Sequence, residues 1–166
     1  MNDASADVLL TGGCGYIGSV LVRLLRADDR VDTVRVMDSL ASGSPRALMG
    51  TLGGDDVRFR RGDVREYGDV ESAMQGADTV IHLAAITGAD STHDRRAETF
   101  AVNRDGTENV LLAAGKLGVG NVVFASSCNV YGRATSTDLD ETVDPDPINP
   151  YAETKLESET LPREYC

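Results

Sequence analysis

Three features of the chain predict an α/β fold, a doubly wound parallel sheet with helices on both faces. Short β-branched runs alternate with stretches of helical period, a glycine cluster sits at the first strand-to-helix turn, and an acidic residue closes the second strand. Strands separated by helices call for right-handed crossovers, and the expected strand order is 3-2-1-4-5. The 166 residues make one domain, 1–166, long enough to bury a core, with no internal boundary in composition.

The first strand is the apolar run Val8 to Leu10, ending in the glycine cluster Thr11 to Gly15. From Tyr16 the spacing of Ile17, Val20, Leu21, Leu24 and Leu25 has helical period. Thr33 to Met37, Val57 to Arg60, Thr79 to Leu83 and Asn121 to Ser126 read as strands two to five, each preceded by a Gly or Asp turn. Glu66 to Met74 is a short amphipathic helix. Asp94 to Leu117 is a longer one, with Phe100, Val102, Val110, Leu111 and Leu112 among its apolar positions. Ala134 to Ile148 is a polar, proline-punctuated loop. Asn149 as N-cap and Pro150 at the first helical position start the last helix, Tyr151 to Leu161.

Composition narrows the function. Asp and Glu total 27 against 16 Lys and Arg, a formal charge of -11 that repels nucleic-acid phosphates. The acidic bias, mostly Asp with only two lysines, fits a high-salt cytoplasm and a GC-rich genome equally well. No apolar run approaches the roughly 20 residues of a membrane helix, and the acidic N-terminus lacks a secretory signature. The expected location is the cytoplasm. Three cysteines, Cys14, Cys128 and Cys166, form no CxxC pair and no disulfide framework. Cys128 reads as a small buried packing residue, His82 as a core residue and His93 as a helix-start residue. With no ligand-spaced cluster, no metal is expected.

The glycine loop TGGCGYIG places Gly12, Gly15 and Gly18 directly after the first strand and at the head of a helix. Glycine permits a tight turn and close backbone approach to a pyrophosphate, and the helix N-terminus offers unpaired N–H groups and partial positive charge. Asp38, about twenty residues past Gly18, stands where a carboxylate accepts hydrogen bonds from an adenosine ribose. That carboxylate repels a 2′-phosphate, and no Arg follows in Asp38-Ser39-Leu40, so NAD is preferred over NADP. Tyr151 and Lys155 share one helix face at i and i+4. A neighbouring ammonium favours the phenolate, which makes Tyr151 competent as an acid/base.

Taken together, TGGCGYIGS at 11–19, Asp38, GDVRE at 62–66, VIHLAA at 80–85, VNRDGTENVL at 102–111, ASSCNVYG at 125–132 and PYAETK at 150–155 resemble the NAD-dependent epimerase/dehydratase family. This is a group of extended short-chain dehydrogenase/reductases with a Rossmann-like fold that includes UDP-glucose 4-epimerase. The resemblance runs from Val8 to about Cys166. It implies cofactor contacts from Gly12, Gly15, Tyr16, Ile17 and Gly18, with Asp63 and Val64 beside the adenine and Leu83, Ala84 and Ala85 along the dinucleotide. It gives Asn103 a part in ordering the central helix and pocket, makes Ser126 structural or cofactor-facing, and lets Lys155 hold the nicotinamide ribose. Ser127, four residues before Tyr131, matches the family's catalytic hydroxyl, beside Tyr151 and Lys155.

By this resemblance the chain would be the NAD-binding part of a nucleotide-sugar 4-epimerase. Tyr151 would take the sugar hydroxyl proton while hydride passes to NAD and later returns to the opposite face. Family dehydratases carry an Asp-Glu pair where this chain has Cys128-Asn129, which disfavours dehydration. A simple dehydrogenase or reductase of the same family, and a non-catalytic NAD-binding module, remain open alternatives. Family members continue well past the Tyr-Lys helix into a small lobe that grips the substrate, so the chain is expected to be an N-terminal part without that lobe. Strand five is expected to present an unpaired edge, and the two long helices resemble those that pair across a homodimer.

Overall fold

A computed structural model describes residues 5–133 and 139–161, the side chains of Ala89 and Asp90 excepted. Five strands form one sheet: β1 (Ala6–Thr11), β2 (Val31–Asp38), β3 (Val57–Arg61), β4 (Thr79–His82) and β5 (Asn121–Phe124). Their order is β3-β2-β1-β4-β5, as expected, and all four pairings are parallel. Because β1 lies between β2 and β4, the chain leaves β1 and β4 in opposite directions across the sheet. That reversal opens a crevice beyond the carboxyl ends of the strands.

Strand alternation sends successive side chains to opposite faces, and both faces are covered. Leu9, Met37 and Val80 join Val70 and Met74 of helix α2 (Tyr67–Met74) in one core. Leu10, Val34 and Val36 join Val22 of helix α1 (Tyr16–Arg26) in the other. Helix α1 is less buried than its apolar spacing implies. Gly18, Ser19 and Val22 face the sheet, whereas Ile17, Val20 and Leu24 are exposed. Small residues win the inner face because the helix passes against the glycine loop: a Cβ on Gly18 would lie 2.4 Å from the Gly12 carbonyl oxygen.

The long helix expected at Asp94–Leu117 is three segments: α4 (Arg96–Phe100), a π-helical turn (Ala101–Asp105) and α5 (Gly106–Leu117), preceded by a short helix α3 (Ala89–His93). His93 therefore ends one helix instead of starting one. The wide turn lodges buried Asn103, and Gly106 follows it where a Cβ would meet Val64 Cγ2 at 2.6 Å. Helix α6 (Pro150–Thr160) begins as expected, with the Asn149 side chain accepting from the Ala152 amide at 2.9 Å.

The two sheet edges differ. Strand β3 carries Arg58, Arg60 and Arg61, charges that discourage edge pairing. Strand β5 reads NVVF, with Val123 exposed, and is the edge expected to be bare. Cys128 is exposed, contrary to its expected burial, because it begins a 3-10 turn (Cys128–Tyr131) lifted off the sheet; Cys14 is buried, and Cys166 lies outside the described residues. So does 134–138 of the loop expected at Ala134–Ile148. Among the described residues, no helix is long and apolar enough to cross a membrane, and no group of three or more His, Cys, Asp or Glu could hold a metal ion.

Candidate functional site: a cleft at the strand carboxyl ends

A cleft of about 810 Å³ runs along the switch point. Its first wall is the glycine loop, in which Gly12, Gly15 and Gly18 do separate jobs. Gly12 has a φ of +72°, and a Cβ there would lie 2.7 Å from the Ala84 backbone nitrogen, so it packs the loop onto the segment after β4. Gly18 lets α1 approach the loop. Gly15, the N-cap of α1, meets only the Gly12 carbonyl oxygen, at 3.2 Å. Of the three, Gly15 has a bare face that internal packing requires least, and it opens on the cleft beside Tyr16 and Ile17. The first-turn amides of α1 have no partner within the helix and carry its positive dipole end. A small cradle with free donors and no acidic residue in the first turn of the helix suits a pyrophosphate.

Asp38 lies at the end of β2, buried but in the cleft wall. Its Oδ2 accepts from the Cys14 amide at 2.9 Å and its Oδ1 from the Leu40 amide at 2.8 Å. Each oxygen keeps a further lone pair, so the carboxyl is aimed and able to accept from ribose hydroxyls. Leu40 takes a φ of 64°, a left-handed conformation rare outside glycine, stabilised by that bond. Asp63 also lines the cleft. The Arg65 guanidinium beside it holds its carboxyl below the usual carboxylate range. Val64 is buried at the same end.

The other end is assembled from β4, β5 and α6. Leu83, Ala84 and Ala85 line the cleft immediately after β4, and Ser126 does so after β5. Tyr151 and Lys155 line it from α6, one turn apart, with Lys155 Nζ 5.8 Å from the Tyr151 ring centroid. Lys155 is 4% exposed, donates to the Ala125 carbonyl at 2.8 Å and lies 4.6 Å over the Phe124 ring. Burial pushes its ammonium down to about 8. An amine titrating there is still mostly the ammonium at neutral pH, a buried positive charge close to the Tyr151 ring.

Two expected residues stand apart. Ser127 is not in the cleft lining; its Oγ caps the Cys128–Tyr131 turn by accepting from the Asn129 amide at 3.2 Å. That bond uses a lone pair and leaves the hydroxyl proton to donate. Asn103 is not a lining residue either. It is buried, accepting from the Ile86 amide at 2.7 Å and donating to the Ile86 carbonyl at 3.0 Å and Thr154 Oγ1 at 3.1 Å. It therefore shapes the wall from behind.

Sequence reasoning missed the loop at 39–43, which folds over the glycine turn so closely that a Cβ on Gly43 would lie 2.9 Å from the Cys14 carbonyl oxygen. It also missed Arg61, Arg95 and Glu98 at the cleft rim. The glycine at 43 was the one local signal for the first. The others sit at the rim only because separate elements converge there.

Comparison with known proteins agrees with this geometry. Residues 8–166 match the NAD dependent epimerase/dehydratase family. The chain is 34% identical over 160 residues to the low-salt glycan biosynthesis protein Agl12 of Haloferax volcanii, covering 96% of this chain and 51% of that protein. It is 34% identical over 156 residues to a UDP-glucose 4-epimerase of Halalkalibacterium halodurans, covering 93% and 44%. A dTDP-glucose 4,6-dehydratase from Streptomyces venezuelae, solved with NAD and TYD bound, superposes with a TM-score of 0.91 at 35% identity, covering 96% of this chain and 51% of that one. The chain thus spans about half the length of the curated relatives it matches.

Proposed function

Because the chain belongs to the NAD dependent epimerase/dehydratase family, we propose that its cleft seats NAD and serves the epimerisation of a nucleotide sugar at a ring hydroxyl. The observation that carries this reading is one continuous space joining the glycine cradle, Asp38 and the Tyr151–Lys155 face. NAD, when bound, supplies the acceptor and donor of hydride. The Gly15 turn and the α1 N-terminus hold its pyrophosphate, Asp38 orients the adenosine ribose, and Asp63 and Val64 flank the adenine. Tyr151 removes and returns the hydroxyl proton, with Lys155 favouring the phenolate. Ser127 lies outside the cleft lining, next to lining residue Ser126, and its assignment as donor to the sugar oxygen rests on the family resemblance and on the hydroxyl proton left over from its turn cap.

Cys128 and Asn129, both exposed, supply no carboxylate acid or base beside that hydroxyl, which favours epimerisation over loss of water. A homodimer through α5 and α6 is part of this reading, supported by the exposed Leu112 and Leu117 of α5. The test is incubation of the full-length protein that carries this sequence with NAD and UDP-galactose or UDP-glucose, following the sugar by NMR and the cofactor by its absorbance. Interconversion of the two sugars without net NADH is expected. Net NADH accumulation points instead to a dehydrogenase, and NAD binding with no change in either sugar to a binding module for this pair.

A further inference from the structure

A buried imidazole that the proposed chemistry does not use lies beneath the cleft. His82 ends β4, with Nδ1 2.6 Å from Thr11 Oγ1 and Nε2 3.1 Å from Thr107 Oγ1. The Thr107 oxygen also lies 2.5 Å from the Asn103 backbone carbonyl, a contact that requires the Thr107 proton because the carbonyl has none. Thr107 can then only accept from the imidazole, so the ring N–H is on Nε2. The Nδ1 lone pair in turn accepts the Thr11 proton. Thr11 Oγ1 accepts from the Ala84 amide at 3.4 Å. Each proton is thereby assigned along one line from the Ala84 N–H through Thr11, His82 and Thr107 to the Asn103 carbonyl.

The line continues into α6. Ser158 Oγ stands 3.3 Å from that same carbonyl and 2.7 Å from the Thr154 carbonyl, while the Asn103 amide reaches Thr154 Oγ1. One end of the line is in the cleft wall; the other is the residue before Lys155. Burial, and secondarily the charge of Lys155, push His82 down to about 3, so the ring is neutral at physiological pH.

We propose that His82, held as the neutral Nε2–H tautomer, is a positioning residue that couples the cofactor side of the cleft to the helix bearing Tyr151 and Lys155. The functional meaning rests on the NAD reading above, but the coupling is a property of the free chain. The first measurement is the imidazole nitrogen signature by ¹⁵N NMR. A pyrrole-type Nε2 and pyridine-type Nδ1 that do not titrate between about pH 5 and 8 are expected; the opposite tautomer or a titrating ring overturns the proposal.

The second is amide hydrogen exchange in His82→Phe, which keeps a ring but removes both hydrogen bonds. Exchange at Ala84, Thr154 and Ser158 should accelerate about tenfold relative to Val36 in β2, with His82→Gln, which restores an N–H, recovering part of the loss at Thr154 and Ser158. Acceleration at Ala84 alone, or none, overturns the coupling. If His82→Phe does not fold, Thr107→Val keeps the ring and removes the Nε2 acceptor together with the Thr107 donor to the Asn103 carbonyl; a shifted tautomer signal with faster exchange at Thr154 is expected, and an unaltered signature overturns it. NAD titration of the same proteins keeps the two readings separate: a native chain that fails to bind NAD refutes the cofactor reading, while the tautomer and exchange still decide the coupling.

Discussion

The two ends of the cleft are built differently. The glycine end is built from short unbroken runs at the ends of the first three strands, the glycine loop at 12–18, the segment 37–43 that includes Asp38, and 61–65. It is shaped by backbone meeting backbone, as the contacts at Gly12 and Gly18 show. The Tyr151 end draws on β4, β5, the π-helical turn and α6, joined by buried side-chain hydrogen bonds through Asn103, Thr107, Thr154 and Ser158. Change at the first end should therefore act through sterics and be read in stability or affinity. Change at the second should act through proton position and desolvation.

The largest expected effect lies at the second end. On the proposed epimerase reading, Tyr151→Phe in the full-length protein should lower turnover by about 10²–10⁴ while NAD affinity, measured by titration calorimetry, stays within about twofold, because only the proton-carrying oxygen is lost. Equal loss of affinity would mean the two ends are not separable. At the first end, Gly12→Ala combines a left-handed backbone with a Cβ 2.7 Å from backbone. It should cost on the order of 3 kcal/mol or prevent folding, checked by urea denaturation.

Lys155→Met should raise stability at pH 7 while abolishing turnover. Its buried ammonium titrates near 8 against an ordinary 10.5. The unfolded chain binds more protons between those values, so Lys155 makes stability rise with pH from about 8 to about 10.5 and imposes its full cost below 8. The gain on substitution is at most on the order of 3 kcal/mol. Urea midpoints at pH 7 and pH 10 should converge in the variant relative to the native chain. An unchanged pH slope would show that the ammonium is solvated in the folded state.

Asp38→Asn should weaken NAD binding about tenfold and narrow the preference over NADP, since a neutral amide neither matches the ribose hydroxyls as well nor repels a 2′-phosphate. Gly15→Ala is the mildest for the fold. With its nearest contact at 3.2 Å, it should leave the thermal midpoint within a few degrees and still reduce NAD affinity, because the added methyl occupies the cradle. A large loss of stability instead would assign Gly15 to packing, like its neighbours.

The same division explains which residues could be read without coordinates. Gly12, Gly18 and Asp38 stand where their spacing put them, and the Asn149–Pro150 start of α6 is a local capping pattern that needs no tertiary partner. The exposed face of α1 was not legible, since periodicity marks an apolar stripe but not which stripe meets the sheet. Nor was the exposure of Cys128 in its 3-10 turn, nor the withdrawal of Asn103 behind the wall. Each depends on distant backbone: the glycine loop for α1, the turn after β5 for Cys128, the Ile86 segment and α6 for Asn103.

Alternation of strand and helix, the glycine turn and the Tyr–Lys spacing were enough to specify the parallel sheet, its order and the residue types at the cleft. These follow from interactions over a few residues, where backbone sterics and hydrophobic period act directly. Folding alone decided that Ser126 and not Ser127 lines the cleft, that Lys155 loses its water, and that His82 is locked between two threonines. Desolvation and the direction of a hydrogen bond are set by groups far apart in the chain, and they have no value until those groups meet.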